Sequence, residues 1–229
     1  MASITRLMRL LQFGDSVLPV GSFSFSNGLE SAIQQHVVHD VATLREFVLT
    51  AVHQAATADG IALLAAHRGA SADDSGRIMM ADRAVHDRKL NEEMRTMTTR
   101  MGRKLGELAN HIEPTPLVTE WLRRIHERET PGTFPVGLGV VFAVLGLPED
   151  NAFTAHHYGV ATMMMGAALR LMKLSYLDGQ AILFEVNATA EDEYARTAAA
   201  SLDDMAAFAP MADILGAIHV KSHVRMFMN

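Results

Sequence analysis

Apolar residues recur at helical spacing along almost the whole of this chain, and alternating strand patterns are scarce. Ile4, Leu7, Met8 and Leu11 form one series; Leu44, Phe47, Val48, Ala51, Val52 and Ala55 a second; Met94, Met97, Met101, Leu105 and Leu108 a third. Residues three and four apart share one face of a helix, so each series predicts an amphipathic rod that must bury its stripe against another. Start signals agree: Ser3 and Asp40 are placed as N-caps, Thr43 with Glu46 as a capping box, and Asn151 ahead of another periodic run. Breaks fall at GASADDSG (69–76), EPTP (113–116), ETPGTFP (129–135) and Pro210, and only AILFEV (181–186) could pass for a strand. The expected fold is all-α, a helical bundle of about nine or ten helices. With 229 residues and 49% hydrophobic content, residues 1–229 are expected to form a single domain around one sizeable core.

Several function classes are excluded early. A net charge of −6 and the lack of any basic run interleaved with aromatics argue against nucleic acid. The apolar segment VGLGVVFAVLGL (136–147) has 12 residues where a bilayer needs about 20, so it predicts a buried core helix and no membrane span. Cysteine is absent, which removes disulfides, thiolate metal sites and cysteine nucleophiles, and no export signal is visible at the N-terminus. A soluble, cytoplasmic protein is expected. Charge is unevenly spread, +4 from Arg77 to Lys104 and −6 from Asp178 to Asp204. Such patches suit docking to other proteins, although solvated helix faces give the same pattern.

Chemistry-bearing residues are sparse. Phe13-Gly14-Asp15-Ser16 spells the nucleophile block of a GDS-type serine esterase, with Ser16 as the candidate. That enzyme needs a strand-to-helix turn, an oriented histidine and an oxyanion site, whereas Leu7 to Phe13 reads as helix and the family's other blocks are missing. His219 and His223 stand i, i+4 and could face one metal ion, but no third ligand accompanies them, so they make only a weak metal candidate. The fifteen methionines, at helical spacing, read as core filler; thioethers are also soft ligands for copper. No cofactor and no catalytic site is expected. Between two helical segments, residues 13 to 30 (FGDSVLPVGSFSFSNGLE) form a shaped turn: Pro19 fixes a backbone angle, Gly14, Gly21 and Gly28 permit sharp turns, and Ser22, Ser24 and Ser26 offer hydroxyls to local backbone. Phe23 and Phe25 could then be held out as anchors for a partner, or plug the protein's own core.

LLQFGDSVLPVGSFSFSNGLESA closely resembles the N-terminal signature of the urease accessory protein family UreF. Four more stretches follow in the family's order: MTTRMGRKLGEL (97–108), FPVGLGVVFAVLGL (134–147), LDGQAIL (177–183), and DDMAAFAPMADI (203–214) with His219, Arg225 and Phe227. Two departures are Phe25, where tyrosine is common, and Val224, where serine is common. The resemblance implies a helical, non-enzymatic scaffold that tends to dimerise. It implies binding to UreD (also called UreH) and recruitment of the GTPase UreG to urease apoprotein for nickel insertion. The partner-binding residues it points to are Pro19, Gly21, Phe23, Ser24, Phe25, Ser26, Gly28 and Glu30 in the loop and Arg225 and Phe227 in the tail. The tail HVKSHVRMFMN is expected to fill a partner groove, because apolar residues at a chain end gain little unless they dock.

Overall fold

A computed structural model describes residues 3–15, 20–206, 214–215, 218 and 226–227, with the side chain of Phe23 outside the description. Among these residues the structure is all-α, with eleven helices and no strand. They are α1 (Ile4–Gly14), α2 (Leu29–Gln34), α3 (Val41–Ala55), α4 (Ile61–Ser71), α5 (Ser75–Arg88), α6 (Glu92–Ile112), α7 (Pro116–His126), α8 (Phe134–Val144), α9 (Glu149–Leu171), α10 (Tyr176–Asn187) and α11 (Ala190–Ala199). A π-helical turn, Ala56–Gly60, joins α3 to α4 without a break. The resulting 31-residue rod is, by length and composition, apolar enough to cross a bilayer, and 56% of its most apolar window is buried inside the fold.

The ends of the helices follow local chemistry. Ser3 caps α1 by accepting from Arg6 N–H. Asp40 caps α3, and its box partner is Thr43 itself, whose hydroxyl accepts from the Asp40 N–H; Glu46 takes no part in it. Thr115 caps α7, with Pro116 at the first helical position, where its missing N–H costs nothing. α9 starts at Glu149, after Pro148, two residues before the expected Asn151. AILFEV lies within α10, not in a strand: Ile182, Leu183 and Val186 share its buried face, which is helical spacing.

Two clusters of buried apolar side chains organise the packing. The first gathers Phe13, Val20 and Phe25 with α4, α6 and α8; the second gathers α2, α3 and α10 with Leu215 and Phe227. Helix α9 serves both, giving Phe153 and Met163 to the first and Met164, Met165 and Ala168 to the second. α8 is buried on nearly every side, as its unbroken apolar sequence predicts.

Two close backbone approaches account for glycines in the family-like motifs. A Cβ on Gly102 of α6 would lie 2.2 Å from Gly132 O, and one on Gly139 of α8 would lie 2.4 Å from Leu63 O of α4. Glycine is required there by contact, not by dihedral angle. The loop that meets Gly102 is itself held by a fully buried carboxylate. Asp82 accepts from Thr130 Oγ1 (2.6 Å), Gly132 N–H (2.8 Å), Thr133 N–H (2.7 Å) and Thr133 Oγ1 (2.6 Å). Thr98 Oγ1 of α6 then accepts from Phe134 N–H at the start of α8 (3.1 Å). On the far side, Arg68 makes two bonds to Glu149 (2.7 and 2.9 Å) and one to Ala198 O (3.1 Å), tying α4 to α9 and α11. The hydrogen bond from Arg68 holds the Glu149 carboxyl below its ordinary pKa.

Candidate functional site

The loop that follows α1 turns twice through left-handed backbone. Gly21 (φ 74°) leads into a single 3-10 turn, Ser22–Ser24, closed by Phe25 N–H donating to Ser22 O at 3.0 Å. Asn27 (φ 53°) and Gly28 (φ 82°) then turn the chain sharply into α2. Ser26, wholly buried, takes the Glu30 N–H on its hydroxyl at 3.4 Å. This delivers Glu30 to the first turn of α2, buried, with its carboxylate turned toward the other end of the chain.

There the carboxylate meets the tail. Met226 N–H donates to Glu30 Oε1 at 2.7 Å and Phe227 N–H to Oε2 at 3.0 Å. A carboxylate is acceptor-only, and one oxygen per backbone N–H is a matched, charge-assisted pair. Phe227 is buried in the second apolar cluster, and the Arg170 guanidinium carbon lies 4.3 Å from the centre of its ring. Loop and tail, 196 residues apart in sequence, thus form one assembled site.

The predicted partner residues separate under this geometry. Gly21, Ser24, Ser26, Gly28 and Glu30 all lie in or beside the assembled turn, with Ser24 half-exposed. Phe25 has its ring buried in the first cluster, the inward of the two roles the sequence left open, because the turn closed on Ser22 points it into the core. Phe227 is buried within its own chain. It fills a groove of its own chain, since Glu30 and Arg170 supply there the polar and cationic partners expected of another protein. Pro19, Ser16, Arg225, His219 and His223, and the Phe23 side chain, lie outside the described residues. The sequence reading missed Arg170, whose role shows only once α9 is packed beside the tail. No group of three or more His, Asp or Glu side chains placed to hold a metal occurs among the described residues.

Two helices carry exposed apolar side chains among the described residues. α1 leaves Ile4, Leu7, Met8 and Leu11 exposed in one stripe, and α10 exposes Tyr176, Leu177 and Phe184, the last at 80%. Part of the positive segment is used internally: Lys89 pairs with Asp59 at 2.7 Å, and Arg88 donates to Met205 O.

A sequence model of the UreF family matches residues 38–187. The chain belongs to the UreF family. It is 60% identical over 227 residues to urease accessory protein UreF 1 of Brucella melitensis biotype 1, covering 99% of this chain and 94% of the relative. It is also 50% identical over 223 residues to the urease accessory protein UreF of Yersinia pestis strain Pestoides F, covering 97% and 98%. The UreF family model stops short of both the loop and the tail, whereas these matches cover 97–99% of the chain. The all-α architecture and the family assignment expected from the motifs both stand.

Proposed function

We propose that this chain is a non-catalytic scaffold of urease maturation, which binds UreD (UreH) and through it brings the GTPase UreG to urease apoprotein for nickel insertion. The observation that carries the reading is near-full-length identity with proteins named urease accessory protein UreF. The geometry supports it in two respects: the loop and tail meet at Glu30 in one built site, and elsewhere α1 and α10 expose apolar side chains of the kind a partner can use. Burial of Phe25 and Phe227 gives these rings an indirect part, shaping the surface from below, while Arg225 and Phe23 are left for direct contact. A homodimer and a cytoplasmic setting belong to the same proposal.

The test is reconstitution. Co-expressed with UreD, UreG and apo-urease subunits, the chain should co-purify with UreD and UreG and restore nickel-dependent urease activity to cells lacking their own UreF. Because removing residues 220 to 229 would also uncover the second apolar cluster, Arg225→Ala is the cleaner variant, and it should abolish UreD capture while leaving the helical circular dichroism intact. Full urease activation without the chain, or no UreD capture by the wild type, overturns the reading. Turnover of a p-nitrophenyl ester that is lost on Ser16→Ala would establish the esterase alternative instead.

A further inference from the structure

One cavity, of about 80 Å³, lies between α3 with its π turn, α6 and α9, and its lining is unusual in composition. Four thioethers face it, from Met94, Met97, Met101 and Met163, together with the imidazole of His156, the Asp59–Lys89 pair and Phe134. His156 is only 4% exposed, and its residual exposure is to a cavity it lines. Burial pushes its pKa down to about 4, so at neutral pH the ring offers a lone pair.

The packing brings that ring to the same cavity as one stretch of α6. Phe134, whose N–H is held by Thr98 Oγ1, lies against His156 with ring centres 6.4 Å apart. Thr98 sits beside Met97 and one turn short of Met101, and both methionines line the same cavity. Thioether sulfur and neutral imidazole are soft to borderline donors that favour a monovalent d¹⁰ ion. Hard dications find little here: the one carboxylate in the lining, Asp59, is occupied by Lys89 at 2.7 Å through both oxygens. The same pairing neutralises the Lys89 ammonium, while the other cation of the lining, Arg88, is bonded to the backbone carbonyls of Ala84 and Met205. Methionine side chains are flexible enough to close on an ion without moving the helices.

We propose that His156, Met97 and Met101 form a binding site for a soft monovalent cation of the Cu(I) class, independent of the scaffold surface. The probe is Ag(I), which is redox-inert, added to the full chain with methyl-13C methionine. The Met97 and Met101 methyl signals, assigned by substitution, should shift first and saturate at one equivalent. In parallel, Cu(I) under anaerobic conditions should be held against a chromogenic chelator with one-to-one stoichiometry. His156→Gln and the volume-conserving Met101→Leu should each weaken it about tenfold or more. If the Met97 and Met101 signals stay fixed while others move, or if binding survives both substitutions and is lost only with residues 219 to 229, the cavity is not the site and the proposal fails. The methyl measurement on unaltered protein keeps the outcome decisive even where a variant folds poorly.

Discussion

Replacing Glu30 by glutamine changes one oxygen to an NH2 group, which sets a donor against the two backbone donors of the tail. Both tail contacts are backbone N–H groups, so the amide can accept from only one of Met226 and Phe227 and must face the other with a second donor. Hydrogen bonds to a charged group contribute about 1.5–3 kcal/mol, and a buried N–H left unsatisfied costs about 1–3 kcal/mol. A loss of about 2 kcal/mol is therefore expected, roughly thirtyfold in the docking equilibrium of the tail. Other contributions are of similar size: burial of Phe227 is worth about 1.5–3 kcal/mol, the Arg170 contact about 0.5–2 kcal/mol, and they are opposed by about 1–2 kcal/mol for each backbone residue fixed. A deficit of this size is thus enough to release residues 226–227. Amide hydrogen exchange reads it directly. Protection of the Met226 and Phe227 amides should fall about thirtyfold in Glu30→Gln, further in Glu30→Ala, and less in Arg170→Ala, with α9 unaffected. Unchanged protection at these two amides in a folded Glu30→Gln protein would refute the argument that the carboxylate holds the tail.

Gly102→Ala should be destabilising by about 1–3 kcal/mol or more, because its methyl would meet Gly132 O at 2.2 Å, and thermal melting should show it as a fall of several degrees. Gly166→Ala on α9 is the matched control: a Cβ there meets nothing within 4 Å, and a gain of up to about 1 kcal/mol from helix propensity is expected in the same assay. Asp82→Asn turns one acceptor into a donor among four buried donors and should cost about 3 kcal/mol by urea unfolding. His156 titrates near 6.5 when unfolded but near 4 when buried, so between those values the unfolded chain takes up a proton that the folded one refuses. Stability should therefore fall as pH is lowered through that window, by roughly 3 kcal/mol from this group, and His156→Gln should flatten the melting-temperature profile between about pH 7 and pH 4.

The helices were legible because their signals are local. The Met94, Met97, Met101, Leu105 stripe predicts α6, and Ser3 and Asp40 mark their own helix starts. AILFEV misleads for the same reason: a short apolar run carries little period, and only the packing of Ile182 and Val186 against α9 decides it. The motif glycines could be seen but not explained, since the reason for Gly102 lies thirty residues away at Gly132. The site was half legible. Loop composition located Gly21, Ser26 and Gly28 in a shaped turn, yet nothing near Glu30 or Phe227 announces a contact across 197 residues. Phe227 was read outward, and Phe25 was left open between partner and core, because aromatic residues in a loop or a tail have no inward signal until the groove they fill has been assembled.

The π turn between α3 and α4 has a mechanical consequence. In an α-helix each residue advances the azimuth by about 100°, so the extra residue held in the wide turn sets α4 out of phase with α3 by about that angle. α3 accordingly faces the second apolar cluster with Leu44, Val48 and Val52, while α4 faces the first with Ile61, Leu63 and Leu64. The turn works as a keyed coupling between two halves of one shaft. Deleting a single residue from Ala-Thr-Ala-Asp-Gly would let the shaft wind through as ordinary helix, swing the Leu63 carbonyl away from the notch at Gly139, and misalign one core with the other. In this segment the number of residues carries information that their small side chains do not.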